Sequence, residues 1–393
     1  MEIKFSKRLQ GNAAKNIFDM IDDKVIELKE KGVEVIDFGV GDPAKTYPPP
    51  SDVIDELSPA AQRHKNSGYP NTAGIKSYRE ACTQYMKRRF GVELDVEKEV
   101  SLTIASKEAI FIFPMTLVDE GDYVIIPTPG YPTFSDGVSA IGGIPYFVPL
   151  LEENNFLIDF EAIPQDITKK AKFIWINYPN APTGAVAPKE WLEKLVNWAQ
   201  KNDVVIAADE GCYIDLYFNE KPHSILEIAK KGIIAFYTLS KRANMTGYRI
   251  GFVAGDEEII AKYRTIRNRV HDGAPHFVQE SGIIAWNDDE YVADMREKYK
   301  EKRNLIIKTF DELGFPRTKS EATFFMWQKA PYGMNGDELA AKLLDLGIVV
   351  IPGSALSKTT ETGLVAGKDY IRIALMPSMN KVVEACKRIK SAF

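Results

Sequence analysis

Ser240-Lys241, followed by Met245-Thr246-Gly247-Tyr248-Arg249-Ile250-Gly251, is the stretch of this chain best equipped for chemistry. The lysine closes an apolar, strand-like run from Ile233 to Leu239, and an arginine follows eight residues later. A lysine amine can form a Schiff base with an aldehyde cofactor, and an arginine can hold a phosphate on that cofactor. A lone lysine at a strand end is ordinarily a solvated cap, so the string around Lys241 carries the argument rather than Lys241 itself. Asp209 ends a second apolar run, Val204 to Ala208, where a buried carboxylate is costly unless something pairs with it. Ser106 lies between a strand-like run (101–104) and a helical pattern beginning near Lys107. Backbone N–H groups and a hydroxyl at such a place make an anion site, although an isolated serine there is as often a plain N-cap.

The elements that must position these residues are legible. Between about Val100 and Val270, short apolar runs (101–104, 123–126, 172–176, 204–208) alternate with helical patterns such as Pro188 to Lys201, where Trp191, Leu192, Leu195, Val196 and Ala199 share a face. Apolar strands without alternation, separated by helices, predict an α/β fold with a mainly parallel sheet covered on both faces. The last third changes character: charged helices (295–313, 336–346, 380–391) frame strands near 323–327, 349–351 and 370–375, which predicts a smaller α+β domain. The proline run Tyr47-Pro48-Pro49-Pro50 and the region near Trp286 are the expected boundaries. That gives an N-terminal segment, 1–47, packing with the small domain, a large domain over 48–286, and the small domain over 287–393.

Composition excludes several classes. A net charge of -5 argues against a nucleic-acid footprint. The three cysteines (Cys82, Cys212, Cys386) are too scattered for a disulfide framework, and the four histidines have no metal-ligand spacing, so no metal is expected. No run approaches the ~18 apolar residues of a membrane span, and the N-terminus lacks a secretory pattern, which predicts a cytoplasmic protein without membrane contact.

The Lys241 string meets every fixed position of S-K-x-x-x-M-T-G-x-R-x-G, and five further segments follow in matching order. The chain thereby resembles the class I/II aminotransferases, fold-type I enzymes that use pyridoxal 5'-phosphate. The resemblance implies that Lys241 carries the cofactor as a Schiff base and that Asp209 pairs with its pyridinium nitrogen. Ser106, Lys107, Thr238 and Arg249 would lie at the cofactor phosphate. Tyr131, in Pro129-Gly130-Tyr131-Pro132, would stack on the ring, and Tyr69, in Gly68-Tyr69-Pro70, would reach the phosphate of a neighbouring subunit in a homodimer with shared sites. Arg372 would grip the substrate α-carboxylate, with the backbone around Gly41 closing over it. The substrates would be an amino acid and a 2-oxo acid. Within the family, Gly41-Asp42-Pro43, Ser106-Lys107-Glu108 and Asn177-Tyr178-Pro179-Asn180 are most similar to LL-diaminopimelate and succinyldiaminopimelate aminotransferases, although aspartate- and aromatic-specific relatives share these segments. His271-Asp272-Gly273 departs from the Asp-Ser-Gly expected there.

Two departures fall together. The family's Asn-Pro-Thr-Gly is Ala181-Pro182-Thr183-Gly184 here, and its tyrosine three residues after the aspartate is Cys212. Asp209-Glu210-Gly211-Cys212-Tyr213 looks like Asp-Glu-Cys-Tyr with one residue inserted, so Tyr213 is expected to reach the ring instead. Both altered positions are donors to the cofactor's 3'-oxygen in the family. Their loss is the one feature that favours a rival reading, a lyase carrying out β-elimination on a sulfur amino acid. A non-enzymatic, cofactor-binding regulator is a third reading, opposed by the presence of Lys241, Asp209, Arg249 and Arg372 together.

A donor to a phenolate lowers the pKa of the attached imine, so its absence should raise it. Ala181→Asn is expected to lower the pH at which the visible band titrates by about one unit, on the scale of a charge-assisted hydrogen bond. Spectrophotometric titration of both proteins checks it; an unmoved band in a fully loaded variant would mean that the oxygen already has a donor.

Overall fold

The structure is a computed structural model that describes Ile3 and residues 17–393. Its main sheet has seven strands: β1 (Val100–Thr103), β2 (Tyr123–Thr128), β3 (Ile144–Pro149), β4 (Ala171–Ile176), β5 (Val205–Gly211), β6 (Ile233–Thr238) and β7 (Gly251–Gly255), in the order β1-β7-β6-β5-β4-β2-β3. Pairing is parallel from β6 through β5, β4 and β2 to β3, while β7 runs antiparallel to both β6 and β1. Two successive reversals leave β1 pointing the same way as β6. The carboxyl ends of six strands therefore share one edge, the edge where open α/β sheets place ligands.

The strands read as continuous apolar runs because both faces are covered, and the period of two sorts each strand between two cores. Ile174, Ile176, Ile206, Ala208, Ile233, Ala235 and Tyr237 join the core that includes Tyr78, Tyr85, Leu192 and Leu195. Phe173, Trp175, Ala207, Ile234 and Phe236 join the opposite core with Ile110, Phe113, Ile260 and Tyr263. Helix Lys189–Lys201 buries Leu192, Leu195, Val196 and Ala199, the face its sequence spacing predicts, with Trp191 half-buried beside them. The sheet is thus the mainly parallel, helix-covered layer of a fold-type I α/β architecture.

A second sheet, built from β8 (Phe325–Lys329), β9 (Ile351–Pro352) and β10 (Tyr370–Ala374), is antiparallel throughout, in the order β9-β10-β8. Helices Asp289–Glu312, Gly336–Asp345 and Met379–Ala392 pack with it around a third core that includes Phe310, Met326, Leu339, Ile371 and Val382. The early residues Ile36–Asp37 pair in parallel with Ile348–Val349, so this part of the chain lies against the second sheet. Among the described residues no helix is long and apolar enough to cross a membrane.

A buried ionic cluster anchors the turn that carries Lys241. Asp215 accepts hydrogen bonds from Tyr85 (2.8 Å), from Arg89 Nε (2.9 Å) and from Arg242, whose guanidinium lies 4.7 Å over the Tyr85 ring. Arg242 also reaches Asp289 at the start of the long helix. The two arginines hold the Asp215 carboxyl below its usual range although burial pushes it up. Removing one member of such a cluster leaves buried charges uncompensated. Asp215→Ala is therefore expected to destabilise the fold by about 3–5 kcal/mol, read as a lower denaturation midpoint with little change in slope. A loss below 1 kcal/mol would show that the arginines find other partners.

Candidate active site

Lys241 sits in the single helical turn Leu239–Arg242 directly after β6, capped by Thr238, whose hydroxyl accepts the Ser240 N–H at 3.2 Å. Its side chain donates to the Gly41 carbonyl at 2.8 Å, with Nζ 5.6 Å from the ring centre of Phe324, the residue before β8. A Cβ at Gly41 would stand 2.5 Å from the tip of the Phe325 ring, so any larger residue there would have to displace that ring. Burial lowers the pKa of the Lys241 amine; Cys212 and Asp42 oppose that shift, while Arg249 and Arg372 add to it. A desolvated amine held nearer neutrality is a better nucleophile and base.

Asp209 lies near the end of β5, 3% exposed, with Oδ1 buried and without a hydrogen-bond partner. Burial pushes its carboxyl up to about 7, and the neighbouring Cys212 thiol acts the other way. An orphaned carboxylate oxygen in an apolar wall is suited to a ligand that brings its own N–H. The inserted residue takes the form of a β-bulge: Asp209 stands opposite Phe236 and Gly211 opposite Tyr237, with Glu210 between them. A Cβ at Gly211 would fall 2.3 Å from the Tyr237 Cα, so only glycine fits. Glu210 is buried behind the bulge, accepting from Ile225 N at 2.6 Å and from the Tyr237 hydroxyl at 2.7 Å.

Beyond the bulge, Cys212 turns to Ser106, with Sγ 3.5 Å from Oγ. Tyr213 packs edge-on against Phe324 and Phe325 with ring centres 5.3 and 5.8 Å away. It lies within the fields of Arg372, Asp209 and Tyr131. Ser106 is half-buried in the first turn of helix Ala105–Ile112, whereas Lys107 is exposed. The neighbouring Glu108 holds that turn: it accepts from Ile104 N (3.1 Å) and Arg267 Nε (3.1 Å) and pairs with His271 Nε2 at 2.7 Å. His271, the departure from Asp-Ser-Gly, is thereby part of the support beneath Ser106.

Tyr131, in the loop after β2, is 37% exposed and lies within the fields of Asp209 and Arg249. Arg249 is exposed, in a left-handed conformation (φ 55°), and donates to the Thr246 carbonyl. Arg372 projects from β10 with its guanidinium 4.4 Å from the Phe325 ring centre, donating to the Gly39 carbonyl at 2.7 Å. Its Nε is buried and unpartnered, and desolvation pulls its pKa down to about 10. The structure thus gathers Ser106, Tyr131, Asp209, Tyr213, Thr238, Lys241, Arg249, Arg372 and Gly41 around one edge. Lys107 is directed to solvent, and Tyr69 stands away from this grouping at 91% exposure.

Ala181 lies in a turn braced by its neighbours: Asn177 Oδ1 accepts the Ala181 N–H at 2.9 Å, and Asn180 Oδ1 accepts the Thr183 hydroxyl at 2.7 Å. Asn180 spends its carbonyl oxygen inside its own turn. Sequence reasoning did not anticipate the contacts of Cys212, Asp42 or Phe324. Cys212 had a signal, its place three residues after Asp209, and Asp42 had one in the Gly41-Asp42-Pro43 segment; Phe324 had none, because only the folded chain brings it to Lys241.

A desolvated lysine, a buried acid and two arginines stand together at the carboxyl edge of the sheet. Residues 33–389 match the family described as aminotransferase class I and II, and the chain belongs to that family. It is 40% identical over 380 residues to the LL-diaminopimelate aminotransferase of Aquifex aeolicus, covering 95% of this chain and 96% of that one. A probable N-succinyldiaminopimelate aminotransferase from Thermus thermophilus superposes with a TM-score of 0.89 at 26% identity, over 96% of this chain and 100% of that one. The apo form of BacF from Bacillus subtilis gives 0.91 at 30% identity, over 100% and 99%. The protein is a pyridoxal-phosphate-dependent aminotransferase acting on amino and 2-oxo acids.

The raised Asp209 has a consequence for stability. The folded, cofactor-free chain keeps a proton on Asp209 where the unfolded chain, near 3.8, has lost it. Stability therefore falls as pH rises from about 4 through about 7. Asp209→Asn is expected to stabilise the cofactor-free protein by about 2–4 kcal/mol above neutrality and by almost nothing near pH 4. Glu210 titrates in the same range in both proteins, so the difference isolates Asp209. Denaturation midpoints measured across pH check it; a difference independent of pH would contradict it.

Proposed function

We propose that this aminotransferase takes the α-amino group from LL-diaminopimelate, or from a related amino-dicarboxylate, and passes it to a 2-oxo acid, in lysine biosynthesis. The observation that carries the reading is Arg372, a desolvated guanidinium with an unpartnered Nε, reaching the 39–41 segment that also receives Lys241. A planar fork of donors without a carboxylate of its own suits the α-carboxylate of an amino acid. The name of the Aquifex aeolicus relative supports the choice of donor.

Pyridoxal phosphate, when bound, supplies the electron sink that makes the substrate α-hydrogen acidic. The rest falls to the chain. Lys241 holds the cofactor until substrate arrives and then, as a free amine of lowered pKa, removes the proton from the substrate α-carbon. Asp209, with Oδ1 unpartnered, would keep the ring nitrogen protonated. Ser106, the backbone at Lys107, Thr238 and Arg249 would hold the phosphate, Tyr131 and Tyr213 would lie against the ring, and Gly41 would close over the carboxylate. The chain works as a homodimer in which Tyr69 of the partner subunit completes the phosphate site; the 91% exposure of Tyr69 supports this arrangement.

The test is a half-reaction followed by absorbance, offering LL-diaminopimelate, N-succinyl-LL-diaminopimelate, aspartate and phenylalanine in turn. LL-diaminopimelate should convert the cofactor to its amine form fastest; a clear preference for aspartate or phenylalanine would overturn the donor assignment. Arg372→Ala should weaken amino acid binding by about 2–5 kcal/mol with cofactor loading nearly intact. In Lys241→Ala, borohydride should fix no cofactor to the chain.

A further inference from the structure

Ala105, directly before Ser106, is buried and holds a left-handed backbone (φ 55°), a conformation that strains any residue with a Cβ. Such a turn persists only where its surroundings fix it, and here the fixing group is a single carboxylate. Glu108 reaches back with Oε2 to accept the Ile104 N–H at 3.1 Å, which closes the turn around the strained residue. Its other oxygen, Oε1, accepts from Arg267 Nε at 3.1 Å and lies 2.7 Å from His271 Nε2. His271 Nδ1 accepts the Gly273 N–H at 2.9 Å, so the ring proton sits on Nε2 and points at Glu108. The same two residues hold a second segment. Arg267 Nη1 donates to the Thr72 carbonyl at 3.3 Å, and the His271 carbonyl accepts the Thr72 hydroxyl at 3.3 Å. Gly273 (φ 103°) lies so close to this segment that a Cβ would fall 3.0 Å from the Asn71 carbonyl oxygen. Thr72 is buried, and three residues before it Tyr69 is the exposed end of the same loop.

We propose that Glu108 and His271 are positioning residues for the cofactor phosphate: through one carboxylate they hold the Ser106 turn of a subunit's own site and the Tyr69 loop it lends to the neighbouring site as a single unit. The proposal rests on the readings of Ser106 and Tyr69 given above. A hydroxyl contributes most to binding an anion when its direction is fixed before the anion arrives, since ordering it afterwards costs affinity. Burial pushes the Glu108 carboxyl up, but His271 and Arg267 more than offset that and hold it below its usual range, so it stays an ionised acceptor for its three donors. The frame behind the carboxylate is rigid. Arg267 is fully buried and also donates to the Leu102 carbonyl near the end of β1. The Leu102 N–H in turn donates to the Ala73 carbonyl at 2.9 Å, so the strand that leads into Ser106 is itself bonded to the Tyr69 loop. A shift of either segment is therefore carried to the other through hydrogen bonds that meet at Glu108 and Arg267.

Release on dilution, followed as loss of visible absorbance, tests the proposal when enzyme loaded with pyridoxal phosphate is compared with enzyme loaded with pyridoxal, which lacks the phosphate. Glu108→Gln and His271→Ala should each release pyridoxal phosphate about 3- to 10-fold faster and leave pyridoxal release unchanged. His271→Gln, whose amide N–H reaches as far as Nε2, should restore most of the loss. His271 is only half-buried, so its variants cover the case of a Glu108 variant that folds poorly. Tyr69→Phe should also speed release of pyridoxal phosphate, and combining it with Glu108→Gln should give less than the product of the two effects. Equal acceleration with both cofactors would mean that Glu108 supports the fold alone, and the proposal falls. Fully multiplicative effects of Tyr69→Phe and Glu108→Gln would show that the two segments are set separately, which also overturns it. Ser106→Ala separates the proposal from the reading beneath it. If that variant weakens retention of pyridoxal phosphate while Glu108→Gln and His271→Ala do not, the proposal fails and the phosphate site stands. If Ser106→Ala and Tyr69→Phe both retain pyridoxal phosphate unchanged, the reading of the phosphate site itself fails.

Discussion

A carboxylate placed at the apolar end of a parallel strand, with one oxygen unpaired, is the constraint around which this molecule is arranged. Asp209 is 3% exposed, and its walls come from β5 and the elements packed on it. A lysine or arginine within reach would relieve the cost of that burial, but among the described residues Asp209 forms no salt bridge. The neighbouring Cys212 thiol eases the charge, and Oδ1 stays without a partner. A cofactor nitrogen that arrives with its own proton recovers what folding left unpaired, so part of the binding free energy is stored in the cofactor-free chain.

The sheet determines where that storage is possible. Because β1 and the parallel strands end on one side, Ser106, Tyr131, Asp209 and Lys241 emerge together although they are spread over 136 residues of sequence. The second sheet is joined to this edge by residues near the start of the chain: the Phe38 carbonyl accepts from Ala374 N at 2.7 Å, and Gly39 and Gly41 receive Arg372 and Lys241. One short segment therefore reports the position of the second sheet to the lysine of the first. Displacing that segment would change the surroundings of both cations at once.

Much of this was legible in the sequence, and the limits are physical. The strands of the main sheet could be read because burial on both faces demands continuous apolar runs, and β5 and β6 show them without interruption. Lys241 and Asp209 were readable because a charged group at the end of such a run needs a reason to be there. The antiparallel insertion of β7 was not readable, since Gly251–Gly255 has the same apolar character whichever way it runs. Cys212 was read as standing where the family has its tyrosine, and Tyr213 as the residue that reaches the ring. The bulge gives the thiol a contact with Ser106 that no local pattern announces, and it packs Tyr213 against Phe324 and Phe325. A one-residue insertion can be absorbed by a turn, a bulge or a register slip, and only the close approach of Gly211 to Tyr237 decides among them. Contacts such as Arg372 with Gly39, 333 residues apart, leave no local trace at all.

The cations of the site share a property that separates them from the cations nearby. Lys241 is held by the Gly41 carbonyl, Arg372 by the Gly39 carbonyl and Arg249 by the Thr246 carbonyl, and among the described residues none of the three forms a salt bridge. Asp42, whose charge acts on Lys241, accepts the Thr246 hydroxyl at 2.8 Å. Arg242, next in sequence to Lys241, is bound to Asp215 and Asp289. A carbonyl fixes the direction of a cation without cancelling its charge, and it yields to a carboxylate or phosphate, whose bond is roughly twice as strong. A carboxylate partner would quench the charge and have to be displaced by every incoming anion. Adjacent residues on one turn thus divide the labour: Arg242 is neutralised to hold the turn in place, and Lys241 is left uncompensated so that the turn has something to do.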